Sequence, residues 1–285
     1  MFFVSCIVLF QKSHPHLIFP FLVSVAKFLF STNVVFFFDR FRLGVPDDRK
    51  IWSATAIVNS QYHETLRNVH KSFLSSGSNA ITTNSYGIVP GVGFTNDEIT
   101  KYVTLAGKIA RQALTERQFA AAADNDNEGN NAMITDNDDD EPFIFGSLGP
   151  LIESYRPDLI LPHNQGVEMY KLMFQALLPN VDLCLGETMS CINESKQIID
   201  AMIQLQLEHE QTEEQEQNGQ ESATPTSTST TTFNTHIHPL LLSFTLNSKG
   251  NFRDGQPVED GINELLDYIS SCKKHNVQCK LLTST

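Results

Sequence analysis

The chain has 285 residues, with 20 Lys and Arg against 33 Asp and Glu, nine His, five Cys and one Trp, and is 41% hydrophobic. That composition excludes a fibrous or wholly disordered chain, and five cysteines are too few for a small disulfide-stapled scaffold, so a reducing compartment is expected. The formal charge of −13 is concentrated in two tracts: residues 124–141 carry eight acids and residues 207–235 carry six, neither with a Lys or Arg. The remainder is close to neutral, offers no basic field to a polyanion, and gives no nucleic-acid partner.

Residues 1–33 form an apolar N-terminal extension. Phe2–Phe10 has the apolar character of a signal-peptide core, but no basic residue precedes it and no clear small-residue cleavage site follows. Leu17–Phe38 is long enough to span a bilayer, yet Lys27 lies mid-segment at a cost of roughly 2.5–3.5 kcal/mol, and Pro20 and Asn33 add to it. A membrane anchor and a buried strand behind an ill-fitting extension both stay open.

From there the pattern alternates. Val34–Phe38 reads as a buried strand. A helix is expected over Ser60–Ser76, with Ser60 as cap, Tyr62, Leu66, Val69 and Phe73 at helical spacing, and Gly77 as its end. Ala80–Thr83 reads as a strand, and Asp97–Phe119 as a helix capped by Asn96, with Ile99, Val103, Ala106, Ala110 and Ala113 on one face. Phe143–Phe145 is a strand ending at Gly146, Asn164–Leu178 a helix, Val181–Leu185 a strand, and a further helix runs to about Leu205. Leu240–Thr245 is a strand, Val258–Lys274 a helix and Val277–Leu282 a last apolar strand. The two acidic tracts, rich in Asn, Asp, Gln, Glu, Ser and Thr, are expected to be disordered insertions. Six strands alternating with five helices argue for an α/β fold with a parallel sheet. No G-x-G-x-x-G follows a strand, so a Rossmann-like nucleotide enzyme finds no support.

Five runs, in order, carry a resemblance: Ile51–Ala54 (IWSA), Gly77–Tyr86 (GSNAITTNSY), Gly146–Pro150 (GSLGP), Leu185–Thr188 (LGET), and Leu242–Thr245 (LSFT) with Arg253–Gly255 (RDG). Together they resemble the homocysteine S-methyltransferase family, from about residue 40 to the C-terminus. The resemblance implies a (β/α)8 TIM-barrel type fold, here incomplete with about six of eight strands, over residues 34–285, with the site at the C-terminal strand ends. It implies a thiol attacking the methyl group of a sulfonium or ammonium donor to give methionine. The partners it implies are homocysteine and S-methylmethionine, S-adenosylmethionine or betaine, and the cofactor is Zn²⁺ held by three cysteine thiolates.

The residues can be read beside the family. Glu187 follows an apolar strand and a glycine, where its carboxylate would pair with a substrate ammonium, the role the resemblance also gives it; a helix N-terminal acid is the alternative. Tyr86 would face substrate or donor, or pack as a loop aromatic. Thr83 and Asn84 could orient groups by hydrogen bonding. Gly146 and Gly149 would allow close approach of backbone to a ligand, or serve as plain turns.

The departures bear on activity. The family opens with Asp-Gly-Gly, whereas Asn33, Val34 and Val35 stand here, with Asp39 too late. Cys279–Thr285 resembles the strand leading to the first zinc cysteine, with Thr283 and Ser284 in place of Asn and Cys, and no G-G-C-C run occurs. Cys184 and Cys279 are expected in strands, Cys191 and Cys272 on helices and Cys6 in the leader, so no metal ligand is assigned. The expectation is a chain truncated before its zinc motifs and impaired as a methyltransferase, cytoplasmic in location. The alternative is a non-catalytic binding protein, membrane-associated through residues 17–38.

Overall fold

The computed structural model describes residues 3–4, 6–10, 44–46, 48, 50–51, 54–127, 142–219, 239–272 and 279–283. Four short apolar strands lie at its centre: β3 (Ala80–Thr82), β4 (Phe143–Leu148), β5 (Leu183–Met189) and β6 (Leu240–Thr245). They run parallel, neighbour to neighbour in chain order, through registers such as Ile81 with Ile144, Ser147 with Leu185, and Gly186 with Leu242. Almost every residue in them is buried, the pattern of strands covered on both faces.

The helices are α1 (Thr55–Val58), α2 (His63–Ser75), α3 (Asn96–Asn127), α4 (His163–Leu177), α5 (Ile192–Gly219) and α6 (Val258–Cys272). From α2 onward each packs against the next. Strands and helices that both follow chain order form a singly wound wall, whereas a doubly wound sheet reverses its strand order midway. The arrangement is consistent with part of a TIM-barrel-like fold.

Local sequence accounts for most boundaries. Asn59, one residue before the expected cap, accepts a hydrogen bond from the Gln61 N–H over a 3-10 turn (Ser60–Tyr62) that leads into α2. α2 ends where Gly77 adopts φ +88. Thr95 rather than Asn96 caps α3: Thr95 Oγ1 accepts from the Glu98 N–H at 3.3 Å while Glu98 Oε2 accepts from the Thr95 N–H at 2.9 Å, a reciprocal capping box. The face expected for α3 is the one it buries, since Ile99, Val103, Ala106, Ala110 and Ala113 have no exposed surface.

Other expectations are corrected. α3 runs to Asn127 and α5 to Gly219, so 124–127 and 207–219 are helical rather than disordered; the rest of both acidic tracts lies outside the described residues. A helix already nucleated on a buried face propagates cheaply through the Glu and Gln of 207–219, which need no burial to stay helical, and in α3 it carries on for one turn of Asp and Asn past a run of four Ala. β4 continues past Gly146 to Leu148, and β5 begins at Leu183 and continues past Gly186 to Met189. Neither glycine ends its strand.

The last strand also differs from expectation. β7 (Cys279–Thr283) does not extend the parallel series; it pairs antiparallel with β2 (Cys6–Phe10), from Cys6 opposite Thr283 to Phe10 opposite Cys279. β1 (Phe3–Val4) lies antiparallel on β6, with Phe3 opposite Thr245. An open strand edge accepts any extended apolar segment, because the ladder is made by backbone groups. Those residues of the apolar leader that are described are therefore strand, and among the described residues no helix is long and apolar enough to cross a membrane. Val34–Phe38 and the 17–38 segment lie outside the described residues.

One ion pair docks α3 on the sheet. Arg111 donates to Asp182 Oδ1 at 2.5 Å and to the Asn180 carbonyl at 3.2 Å, and Asp182 Oδ2 accepts the Ile144 N–H at 2.7 Å. Asp182→Ala removes the acceptor for both donors and is expected to destabilise the chain by about 1–3 kcal/mol, read from a urea midpoint at unchanged slope.

Candidate functional site

Side chains alternate across a strand, so neighbouring residues of β4 and β5 face opposite ways. A Cβ at Gly146 would lie 3.1 Å from Leu177 Cδ1, and one at Gly186 would lie 2.8 Å from Ile198 Cδ1. These two glycines therefore face the helix layer, where they admit α4 and α5, and Ser147 and Glu187 face the other way. Gly146 thus has a packing position in mid-strand, on the side away from Glu187.

Glu187 is buried at 9% exposure and accepts a short hydrogen bond from the Ser147 hydroxyl. The strand is irregular where it carries this residue. Between Gly186, opposite Leu242, and Met189, opposite Phe244, β5 carries one residue more than β6. Such a bulge bends the strand and re-aims its side chains. Thr188, inside the bulge, has φ +66, unusual for a β-branched residue, and its N–H donates to Ser243 Oγ at 3.4 Å. Tyr155, in the loop after β4, is the other non-glycine residue with positive φ among those described, at +68. Backbone held in sparsely populated regions tends to gather at working sites.

Tyr86, on the turn after β3, is half-buried, and its hydroxyl meets Ser154 Oγ at 2.7 Å and also bonds to Thr188. Burial holds this phenol well above the usual tyrosine range, with the Glu187 charge adding to the shift, so it stays a neutral hydroxyl. Tyr155 is likewise raised, first by burial; the Arg253 charge opposes this and the Glu187 charge adds to it. Glu187, Tyr86, Tyr155, Thr188 and Arg253 are thus brought together at the C-terminal ends of β4, β5 and β6.

Thr83 and Gly149 turn out to hold this arrangement in place. Thr83 is fully buried; its hydroxyl accepts the Ser147 N–H at 2.9 Å and meets Ser85 Oγ at 2.8 Å, while Ser85 donates to the Ser147 carbonyl at 2.7 Å. The turn after β3 is stitched to β4 at the residue that contacts Glu187. Asn84, also buried, lies on the same turn. Gly149 does permit a close approach, to the Tyr86 carbonyl, since a Cβ there would stand 2.5 Å from that oxygen. Ser147, Thr188 and Arg253 lie inside runs visible in the sequence, but only the geometry picks them out; Ser154 and Tyr155 carry no sequence signal.

A zinc site is not supplied by these residues. Among the described residues no group of three His, Cys, Asp or Glu side chains could hold a metal ion. Cys184, buried in β5, has its thiol pushed up by burial, and Cys191, before α5, is pushed up to about 11, whereas a ligand cysteine must be a thiolate. Cys272 closes α6.

The comparisons with known proteins agree with this layout. The sequence model of the family described as Homocysteine S-methyltransferase matches residues 41–280, so the chain belongs to that family. Among solved structures it is similar to the homocysteine methyltransferase MmuM from Escherichia coli. The metallated form is 22% identical and the oxidized form 21%, each at TM-score 0.50 over 77% of this chain. At that identity the likeness speaks for the fold. The matches cover 64% and 63% of the neighbours' chains, so this chain spans less than two thirds of their length. No curated protein matches the chain, and nothing found favours a non-catalytic, membrane-associated binding protein.

Glu194 lies in the first turn of α5. It is 4% exposed, and burial pushes its carboxyl up to about 7, although it accepts the Ser190 N–H at 3.0 Å, which pulls the other way. A carboxyl with a raised folded-state pKa binds its proton more tightly in the folded chain. Its stabilising effect is complete below about 4.5 and is lost as pH rises through 7. Stability is expected to fall by an amount on the order of 3 kcal/mol between pH 4.5 and 7.5 on this account. Denaturant titrations of the chain and of Glu194→Gln across that window should show the slope largely removed in the variant.

Proposed function

We propose that this chain binds homocysteine through Glu187 and belongs with the enzymes that methylate its sulfur. The observation that carries the reading is a buried carboxylate, anchored by Ser147 on a bulged strand, at the C-terminal end of a parallel sheet, in a chain of this family. A carboxylate can accept several hydrogen bonds, and a charged one from a substrate ammonium is among the strongest. The four-strand sheet is read as part of an incomplete (β/α)8 barrel, with the homocysteine-binding unit spanning residues 34–285.

The reaction proposed is methyl transfer. The homocysteine thiol gives up its proton to solvent, and its sulfur forms a bond to the methyl carbon while that carbon leaves a sulfonium or ammonium centre, whose bonding electron pair stays on the donor. S-methylmethionine, S-adenosylmethionine and betaine all meet that description. Tyr86, kept as a neutral hydroxyl between Ser154 and Thr188, orients the bound amino acid without adding charge. Zinc, when bound in the family, lowers the pKa of the thiol. The described residues do not fit that metal, and no step is derived through it. With those residues alone the thiol keeps a pKa of about 8.5 and is mostly protonated at pH 7, so we propose that methyl transfer is slow while binding persists. The free thiols of Cys184, Cys191 and Cys272 accord with a cytoplasmic setting.

Calorimetric titration with L-homocysteine tests the reading. The full chain should bind it, and Glu187→Gln, which keeps the shape and removes the charge, should weaken binding by about tenfold or more. Equal affinity in the two proteins would remove Glu187 from the site, and no binding to the full chain would end the reading.

A further inference from the structure

A free amino acid is a zwitterion, and Glu187 can meet only its positive end. A site with one carboxylate would take any small amine; selecting an amino acid requires donors placed for the α-carboxylate, and a guanidinium supplies them in a two-point geometry. Among the described residues, the one cation whose charge reaches the Tyr155 hydroxyl is Arg253, and the Glu187 charge reaches the same hydroxyl from its own position.

Arg253 has a fixed backbone and an uncommitted head. It follows Phe252, whose ring is 1% exposed and packs edge-on against Phe244 with centroids 5.0 Å apart. The Arg253 N–H donates to the Ser190 carbonyl at 3.1 Å, tying the β6–α6 loop to the end of β5, the strand that carries Glu187. Its guanidinium carbon lies 5.3 Å from the centroid of the Tyr155 ring, the ring held at φ +68. One long bond, 3.4 Å to the Leu246 carbonyl, is its side-chain hydrogen bond among the described residues, and no described carboxylate is within ion-pair distance. Other arginines differ: Arg111, on α3, is paired with Asp182, and Arg156 with Asp158.

A guanidinium has five N–H donors in one plane. Drawn to an aromatic ring by cation–π attraction, it stays beside that ring and still has N–H groups for a two-point bond to a carboxylate. The ring positions the cation without neutralising it, as a carboxylate partner would. We propose that Arg253 recognises the α-carboxylate of the amino-acid substrate, while Glu187 holds its ammonium. This assignment rests on the homocysteine-binding reading above and deepens it: the site takes α-amino acids and rejects simple amines.

The test compares L-homocysteine with its decarboxylated analogue, 3-aminopropane-1-thiol, by calorimetry on the full chain and on two variants. The full chain should prefer homocysteine by about tenfold or more, the worth of a charge-assisted pair. Arg253→Gln should bring that preference close to one by weakening homocysteine alone, with affinity for the amine thiol unchanged. Arg253→Lys, which keeps the charge and loses the planar fork, should recover part of it. A preference that survives Arg253→Gln, or a loss of both ligands together in both variants, overturns the assignment. Equal binding of the two ligands to the full chain overturns it too and leaves the role of Glu187 standing. Failure of the full chain to bind either ligand brings down the homocysteine reading itself.

Discussion

The extra residue in β5 opposite β6 is the constraint on which the site depends. A regular strand would carry the Glu187–Thr188–Met189 segment on in strict alternation beside β6. Glu187 faces Ser147, away from the helices, by ordinary alternation; the bulge breaks that alternation beside it and sets Thr188 at φ +66. The same distortion brings the Thr188 hydroxyl to Tyr86. A strained backbone persists only where its surroundings over-determine it, and here the surroundings are specific. Ser243 supports the Thr188 N–H from β6, and Ser147 supports the carboxylate from β4.

The remaining order follows from that pairing. Ser147 can present its hydroxyl because its backbone is held on both sides, its N–H by Thr83 and its carbonyl by Ser85. Thr83 and Ser85 in turn fix the turn that carries Tyr86, and Gly149 lets the loop after β4 close on the Tyr86 carbonyl without a Cβ in the way. Three strand ends thus form one hydrogen-bonded unit, and the helix layer behind it is admitted by Gly146 and Gly186. In a buried site a network of this kind specifies one geometry, because a member left without its partner carries the full cost of desolvation.

How much of this the sequence reveals depends on the kind of signal. The buried face of α3 was legible because five apolar residues at helical spacing admit one reading. β6 was legible to the residue for a related reason, as a short apolar run between polar segments. Gly146 was misread as a strand end, since the preference of glycine for turns says nothing about a helix that needs room beside a strand. The acidic extensions of α3 and α5 were misread because composition tests for burial, and these turns follow from a helix already formed. The antiparallel seats of β1 and β7 carry no sequence signature, because backbone edges do not discriminate. That Glu187 and Tyr86 lie near the C-terminal ends of strands was legible from the apolar runs before them, although Glu187 lies within β5 rather than after it. Tyr155 and Ser154 were not, because a loop residue enters a site through tertiary geometry alone.

The central claim is that the carboxylate on the bulge is built to receive an amino-acid ammonium. A crystal structure of the full chain grown with L-homocysteine tests it most directly. The account predicts the substrate nitrogen within hydrogen-bond distance of Glu187, with Ser147 still donating to the same carboxylate and Thr188 still left-handed. Homocysteine seated elsewhere, or Glu187 turned away from it with the bulge relaxed to a regular strand, would contradict the account.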